Sequence, residues 1–464
     1  MIPLELLEAL RAALGQAHVR TGAEVQTMDP GWHPDNLAAG VVVLPADTAE
    51  VATVLALCSQ HGVPVVPQGG RTGLVGGAIS HPGEIVVSLT RMQRIECLDP
   101  VSRIALVQGG VTLESLQQAA AAEGLEPGID IPARGSATIA GMVSTNAGGI
   151  MAFRNGVMRH RVLGLEAVLA DGSVYSDLTQ VVKNSAGYDL KHLFIGAEGS
   201  LGIVTRVVLK LDPLPPASAT ALLGLPSVQA ALDAIRWAMD LETGHLRAAE
   251  ALWQPYIQLT ARALRWSEPG MELDQPIFLL LSLGGAREPA LQDAFETLFG
   301  QVMARYPQAT GIIASSARQE RDLWRLREDT DALYRVHPAA PSYDVSVPLS
   351  SLAHYLEEVL QGLAEIEPDL QPYVFGHLAD GNLHIILNRS GALAPGLSAQ
   401  VEAVLYKKLR ALGGSFSAEH GVGSKRIGSM FDTTDPVKLK TMARIKRQLD
   451  PSGLLNPGKV LPLA

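Results

Sequence analysis

The chain has only two cysteines in 464 residues, Cys58 and Cys97. They form no CxxC and offer no disulfide framework, so a reducing, cytoplasmic setting is expected. Long apolar runs are missing too. No stretch of 18 uninterrupted apolar residues occurs, which argues against a membrane-spanning helix and leaves peripheral membrane contact open. The opening MIPLELLEALRAALGQ spaces Leu4, Leu7, Leu10 and Leu14 as on a helix. It lacks the basic start and unbroken apolar core of a signal peptide. Basic runs are absent and the net charge is −10, so nucleic acid is not expected as a partner.

What is plentiful is glycine, 45 residues, roughly a tenth of the chain against about 7% in average usage. The excess is gathered into a few dense loops rather than spread as linker. With 47% hydrophobic and 18% charged residues, the composition is that of a soluble globular protein, and the length predicts two or three domains.

Short β-branched runs alternate with turns at the start: GVVVLP (40–45), VPVVP (63–67), EIVVSL (84–89) and IALVQGG (104–110) read as strands. Residues 48–61 carry a helical pattern with a cap at Asp47 or Thr48. VLGLEAVLADGSVYS (162–176), with a hairpin signal at Asp171-Gly172, and LGIVTRVVLKL (201–211) add strands. This mixture predicts an α+β fold. The Pro-rich DPLPPAS (212–218) marks a boundary. Beyond it, helices at 227–240, 288–305 and 320–334 and a strand at 276–283 suggest a second, cap-like domain. A turn-rich segment closes the chain from about residue 400.

Within FGHLADGNLHIIL (375–387), Asp-Gly flanked by apolar residues is a strong signal for a two-residue hairpin turn. With Asp380-Gly381 as that turn, His377 stands opposite His384 on one face, about 5 Å apart at Cβ. Two imidazoles so placed can share one divalent ion, and Glu419 of SAEHGVG (417–423) could complete two histidines and a carboxylate with positions left open for a ligand, a pattern of catalysis. A pair of histidines satisfied by ordinary hydrogen bonds would leave the same sequence. Nitrogen and carboxylate ligands suit zinc, with manganese or iron as alternatives.

VVPQGGRTGLVGGA (65–78) is a strand running into a loop with five glycines. Such a backbone reaches positive φ and brings several N–H groups to one anion, so a phosphate or pyrophosphate is the expected guest. It is neither a GxGxxG fingerprint nor a Walker loop.

PQGGRTGLVGGA, PARGSATIAGMVSTNAGG (132–149) and FIGAEGSLGIVT (194–205) together resemble the FAD-binding domain of the vanillyl-alcohol-oxidase type. The histidine hairpin, SAEHGVG and the closing NPGK (456–459) resemble the C-terminal part of the FAD-linked D-2-hydroxy-acid dehydrogenases. The resemblance runs from about residue 40 to 460 and implies an α+β architecture. A two-part FAD-binding domain would occupy 1–215, an α+β substrate cap 216–400, and a segment completing the active site 401–464. It implies that Pro67, Gly69, Gly70, Arg71, Thr72, Gly73, Leu74, Gly76 and Gly77 hold the FAD pyrophosphate. Gly135, Ser136, Thr138, Gly141, Met142, Thr145, Asn146, Gly148, Gly149, Glu198, Gly199, Gly202, Ile203 and Asn456 would line the rest of the cofactor. Gly141, Gly148 and Gly149 are equally explained by tight backbone packing. Members that tether flavin often place a histidine in the first loop; residues 62–80 contain none, so dissociable FAD is expected.

The resemblance further implies oxidation of a small D-2-hydroxy acid. His377, His384 and Glu419 would hold the metal, His420 would act as base, and Arg327 of DLWRLRE would fork onto the substrate carboxylate. Without the resemblance, Arg327 beside Asp322 and Glu328 reads as a solvated helix face. Two positions depart from the D-2-hydroxyglutarate pattern: Ser342 stands where a lysine is expected and Ile386 where an asparagine is. They resemble the D-lactate branch, whereas the first glycine loop and SAEHGVG are closer to the hydroxyglutarate branch. Arg335 or Arg389 could supply the missing charge. Electrons would pass to an electron-transfer flavoprotein, a quinone or a cytochrome, and a homodimer is compatible with the sequence. An oxygen-using oxidase, a flavin subunit of an electron-transfer complex and a metallohydrolase are the competing readings.

Overall fold

The helix Thr48–Gln60 shows how local sequence sets local structure. Asp47 caps it, its carboxylate accepting the Glu50 N–H at 2.9 Å, and Val51, Val54, Leu55 and Cys58 recur at helical spacing and are buried. Strands Val41–Val43, Val65–Gln68 and Ile85–Ser88 flank it in sequence and are apolar up to the buried Gln68 and Ser88 that end the last two, as parallel strands covered on both faces largely are. The computed structural model of this protein describes residues 2–462.

The chain forms two units. The first comprises residues 2–149, 155–214 and 419–462. Its four-stranded sheet has the order Val19–Thr21, Val41–Val43, Ile85–Ser88, Val65–Gln68; the first pair is antiparallel and the others parallel. Its second sheet is antiparallel, ordered Ile95–Asp99, Ile104–Gln108, Ile203–Lys210, Val162–Val168, Val174–Asp177. The end of the chain returns to the small sheet: Val65 and Leu455 form a parallel bridge, with Asn456 N–H donating to the Val65 carbonyl at 2.8 Å.

The second unit comprises residues 150–154 and 215–418. Its seven-stranded sheet is antiparallel throughout, ordered Thr310–Ile313, Ala217–Leu225, Ile277–Gly285, His245–Trp253, Pro372–His377, Asn382–Leu387, Ser342–Ser346. One face packs against Val228–Met239, Glu288–Arg305 and Leu352–Ile366. The other carries Gln254–Leu264 and Ala317–Glu328 around Tyr256, Phe278 and Phe375.

Two expectations change. The helix expected at 320–334 is broken into Ala317–Glu328 and Asp331–Val336, because Asp329 leaves helical geometry at ψ 65. The closing segment is divided. Residues 401–418 belong to the second unit, where Ser415 and Ser417 bridge Ser346 and Asp344, and residues 419–462 belong to the first. No described helix is long and apolar enough to cross a membrane.

Candidate active site

In the second unit the candidate site grows from the one carboxylate of a largely apolar strand. Glu250 sits in AAEALW at the middle of His245–Trp253, with no exposed surface. Sheet register sets it opposite His377, and its Oε1 lies 2.7 Å from His377 Nδ1. Its Oε2 lies 2.7 Å from Arg327 Nε, an ion pair off the line of the N–H rather than an aligned hydrogen bond. Burial opposes the charge of Glu250; His377 and Arg327, with His384 adding less, outweigh it and hold the carboxyl below its usual range.

Arg327 is 4% exposed, so the solvated-face reading fails. Leu323, Leu326 and Arg327 form the buried stripe of their helix. Three contacts fix the arginine. Glu250 holds Nε, the Phe375 ring lies 4.8 Å beneath the guanidinium, and the Tyr256 hydroxyl donates to the Arg327 carbonyl at 2.9 Å.

The histidine hairpin differs from its expected register. His384 pairs with Phe375, not with His377. Instead of a two-residue turn, a 3-10 turn Leu378–Asp380 is followed by Gly381 at φ 77, and the turn's Leu378 and Ala379 are buried. Only Gly381 takes positive φ there, so the paired positive φ of a type I′ turn is absent. The slip is two residues, which keeps both histidines on one face. Their rings meet edge to face with centroids 5.4 Å apart, and one ring nitrogen of each lies within 4.8 Å of the other.

Asp344, fully buried, stands opposite His384 in the register; its Oδ1 accepts the Asn382 amide at 2.7 Å and lies 3.7 Å from His384 Nδ1. The Ala418 N–H donates to the Asp344 carbonyl at 3.4 Å. Ser417 and Ala418, which open the SAEHGVG segment, thus lie beside the strand that faces His384.

In the first unit, Glu419 Oε1 accepts the Gly149 N–H at 2.6 Å, and His420 is half-buried. Gly149 sits at φ 88, and a Cβ there would lie 1.9 Å from the Asp130 carbonyl oxygen; packing alone demands glycine. Gly69 and Gly70 are also packing glycines: added Cβ atoms would lie 2.0 Å from Thr138 Oγ1 and 1.8 Å from the Ser136 carbonyl oxygen. The first glycine loop and the 136–138 segment are thereby pressed together.

Glu198 and Asn456, expected along the cofactor, spend side-chain bonds on loops. Glu198 accepts the Val422 N–H at 2.7 Å and the Gly423 N–H at 2.8 Å. Burial raises its carboxyl to about 7 against the opposing pull of those amides and Arg426. Asn456 donates to the carbonyls of Gly77 at 3.0 Å and Glu198 at 2.7 Å.

Polar atoms around this cradle stay buried without a protein partner: Gln68 Oε1, Arg71 Nε and Nη1, Thr138 Oγ1, Asn456 Oδ1 and Lys459 Nζ. Such orphans are costly in a finished core and fit a bound polar group. Together with the glycine approach they suit a dinucleotide.

Sequence reasoning missed Glu250, Asp344 and Asn382. Glu250 had a signal, a lone carboxylate in an apolar strand, but its partners are 77 and 127 residues away.

Two family descriptions match the chain: "FAD binding domain" over residues 39–177 and "FAD linked oxidases, C-terminal domain" over residues 214–460. It is 38% identical to the D-2-hydroxyglutarate dehydrogenase of Xanthomonas citri pv. viticola over 440 residues, 92% of this chain and 90% of that one. It is 36% identical to the mitochondrial D-2-hydroxyglutarate dehydrogenase of Bos taurus over 91% of this chain and 77% of that one. Solved structures of similar fold include p-cresol methylhydroxylase with substrate bound (TM-score 0.76, 20% identity, 99% of this chain and 96% of that one). The 4-ethylphenol oxidase of Gulosibacter chungangensis is another (TM-score 0.74, 18% identity, 99% and 97%). The vanillyl-alcohol-oxidase type of fold is therefore established.

Proposed function

Because this chain belongs to the FAD linked oxidases, we propose that it oxidises a D-2-hydroxy acid to the 2-oxo acid with FAD and a divalent metal, passing electrons to an acceptor other than oxygen. The observation that carries this reading is the buried Glu250, which pairs at 2.7 Å with both a histidine and an arginine suited to the two ends of a 2-hydroxy carboxylate.

When bound, FAD would supply the hydride acceptor for the substrate Cα. A divalent ion, when bound, acts as a Lewis acid that lowers the substrate hydroxyl pKa. His377, His384 and Glu419 are the residues we assign to that ion, with zinc fitting the donor set and manganese or iron compatible. Arg327 binds the substrate carboxylate through its planar guanidinium, held by Glu250, Phe375 and Tyr256 so that little side-chain entropy is lost on binding. His420 takes the hydroxyl proton. The glycine cradle with Arg71 receives the cofactor pyrophosphate, and Glu198 holds the backbone of 422–423 beside the Glu419-His420 pair.

The relatives' names favour a 2-hydroxyglutarate-like substrate. A second reading, a monocarboxylate such as D-lactate, draws on the register: Ser342 and Ile386 are direct cross-strand partners, one step along the same face from Asp344 and His384. Ile386 is buried with Leu323, Leu326 and Phe375. A distal carboxylate left there without a donor would be costly. Arg389 is engaged by Glu367 at 2.7 Å and Asp369 at 3.0 Å, while Arg335 is mostly exposed beside Asp329 at 3.6 Å.

The test is anaerobic. Flavin bleaching is followed after mixing with D-lactate or D-2-hydroxyglutarate, before and after metal removal. Bleaching by either, abolished by chelation and restored by zinc or manganese, is expected. No bleaching by any D-2-hydroxy acid overturns the substrate class. Bleaching unaffected by demonstrated metal removal overturns the metal assignment.

A further inference from the structure

We propose that Glu250 is a shared positioning residue that sets the metal-ligand histidine and the substrate-binding arginine from one carboxylate, so that metal affinity and substrate affinity are coupled through it. The inference rests on the metal and substrate reading above and goes beyond it by assigning a residue that touches neither ion nor substrate.

The argument begins with donors and acceptors. An ionised carboxylate only accepts, so the 2.7 Å contact requires the proton of a neutral His377 to sit on Nδ1. Nε2 is then the lone-pair nitrogen, the form a metal needs. Carboxylate support of a ligand histidine fixes both its tautomer and its ring orientation. The second oxygen of Glu250 meets Arg327 on its Nε edge at 2.7 Å. Recognition of a carboxylate by the paired terminal nitrogens remains geometrically available, and Phe375 sets the plane of the guanidinium.

Burial makes the arrangement rigid. Glu250 has no exposed surface, Arg327 4% and His377 6%. Glu250 faces His377 through a defined sheet register, while Arg327 comes from a helix 77 residues further along. A purely structural counter-ion for Arg327 would need one of these contacts. Glu250 makes both, one with each oxygen.

The experiment uses the FAD-loaded, metal-stripped full chain of wild type, Glu250→Gln and Glu250→Asp. Zinc affinity is measured by competition with a chromophoric chelator. Binding of oxalate, a non-reacting dicarboxylate, is measured from the flavin difference spectrum, and KM and kcat are measured after reloading with zinc. Glu250→Gln removes the charge that both partners require. Zinc affinity is expected to fall 10- to 100-fold, within the usual range for such supporting residues, and KM to rise at least tenfold, with FAD content unchanged. Glu250→Asp retains the charge but is one methylene short of reaching both partners, so both affinities are expected to drop about tenfold; where Glu250→Gln fails to fold, this variant carries the test, and loss of only one affinity in it overturns the coupling. Unchanged zinc affinity and unchanged KM in a soluble, FAD-loaded variant overturn the proposal, whatever happens to its Tm. Loss of only one affinity in Glu250→Gln overturns the coupling. Where wild type binds no divalent ion, the metal reading fails separately. The shared role then fails with it, even if weaker oxalate binding in Glu250→Gln shows that Arg327 is positioned.

Discussion

Glu198→Gln isolates the electrostatics of a buried carboxyl that anchors the loop after His420. The wild-type carboxyl moves from its usual 4.5 to about 7 on folding, because burial disfavours its charge. Between those values the folded protein keeps a proton that the unfolded chain has lost. The associated stability is fully present below 4.5 and disappears as pH rises through about 7. At about 1.4 kcal/mol per pH unit, the interval is worth about 3 kcal/mol, or roughly 6 °C or more in the apparent Tm of a unit this size. Glutamine cannot titrate. It retains one acceptor for the amides of Val422 and Gly423 but presents an NH2 to the other, at a cost of about 1–3 kcal/mol. The variant should therefore be less stable near pH 4.5, where the wild-type contribution is still almost whole, and should lose less stability on going to pH 8.5. Circular dichroism melts of both proteins at saturating FAD, every half pH unit, give the comparison. Equal pH slopes for the two proteins would refute the assignment of this titration to Glu198.

Arg327→Lys replaces a planar fork with a point charge, so KM for the hydroxy acid should rise about 10- to 100-fold while the flavin spectrum stays that of wild type; steady-state kinetics with an artificial acceptor measures this. Ser342→Lys and Ile386→Asn together should shift the kcat/KM ratio toward D-2-hydroxyglutarate over D-lactate by about tenfold or more, and an unchanged ratio would place specificity elsewhere. Gly149→Ala adds a methyl 1.9 Å from a backbone oxygen at a positive φ, so soluble yield and FAD content should both fall, read from the 450 nm absorbance per protein.

Local chemistry made much of the fold legible. Apolar, β-branched runs bounded by proline and glycine marked the strands at 41–43, 65–68, 85–88 and 104–108, and Glu288–Arg305 was expected with its observed ends. The hairpin was misread because Leu378 and Ala379 look like strand residues, whereas their burial in a 3-10 turn depends on packing that no local pattern reports. The candidate residues on motifs could be named from sequence, but their supports could not. Glu250 finds His377 across 127 residues and Glu198 finds Val422 across 224. A charge inside an apolar strand signals that a partner exists without saying where. Arg327 illustrates the reverse failure: its charged neighbours suggested a wet surface, and only the helix's position against Phe375 and Glu250 makes it buried.

The register of the histidine hairpin carries a consequence for how this site tolerates change in chain length. Side chains alternate across a strand with a period of two. The turn between Gly376 and Leu383 could gain or lose a pair of residues and still deliver both imidazoles to the same side of the sheet. A single inserted residue that shifted Asn382–Leu387 would instead turn His384 toward Val345 and Leu352, and bring Leu383 or Ile385 to the face of Asp344. Loop length here is therefore a matter of parity: even changes are variations in a turn, and odd ones remove an imidazole from its face without mutating it.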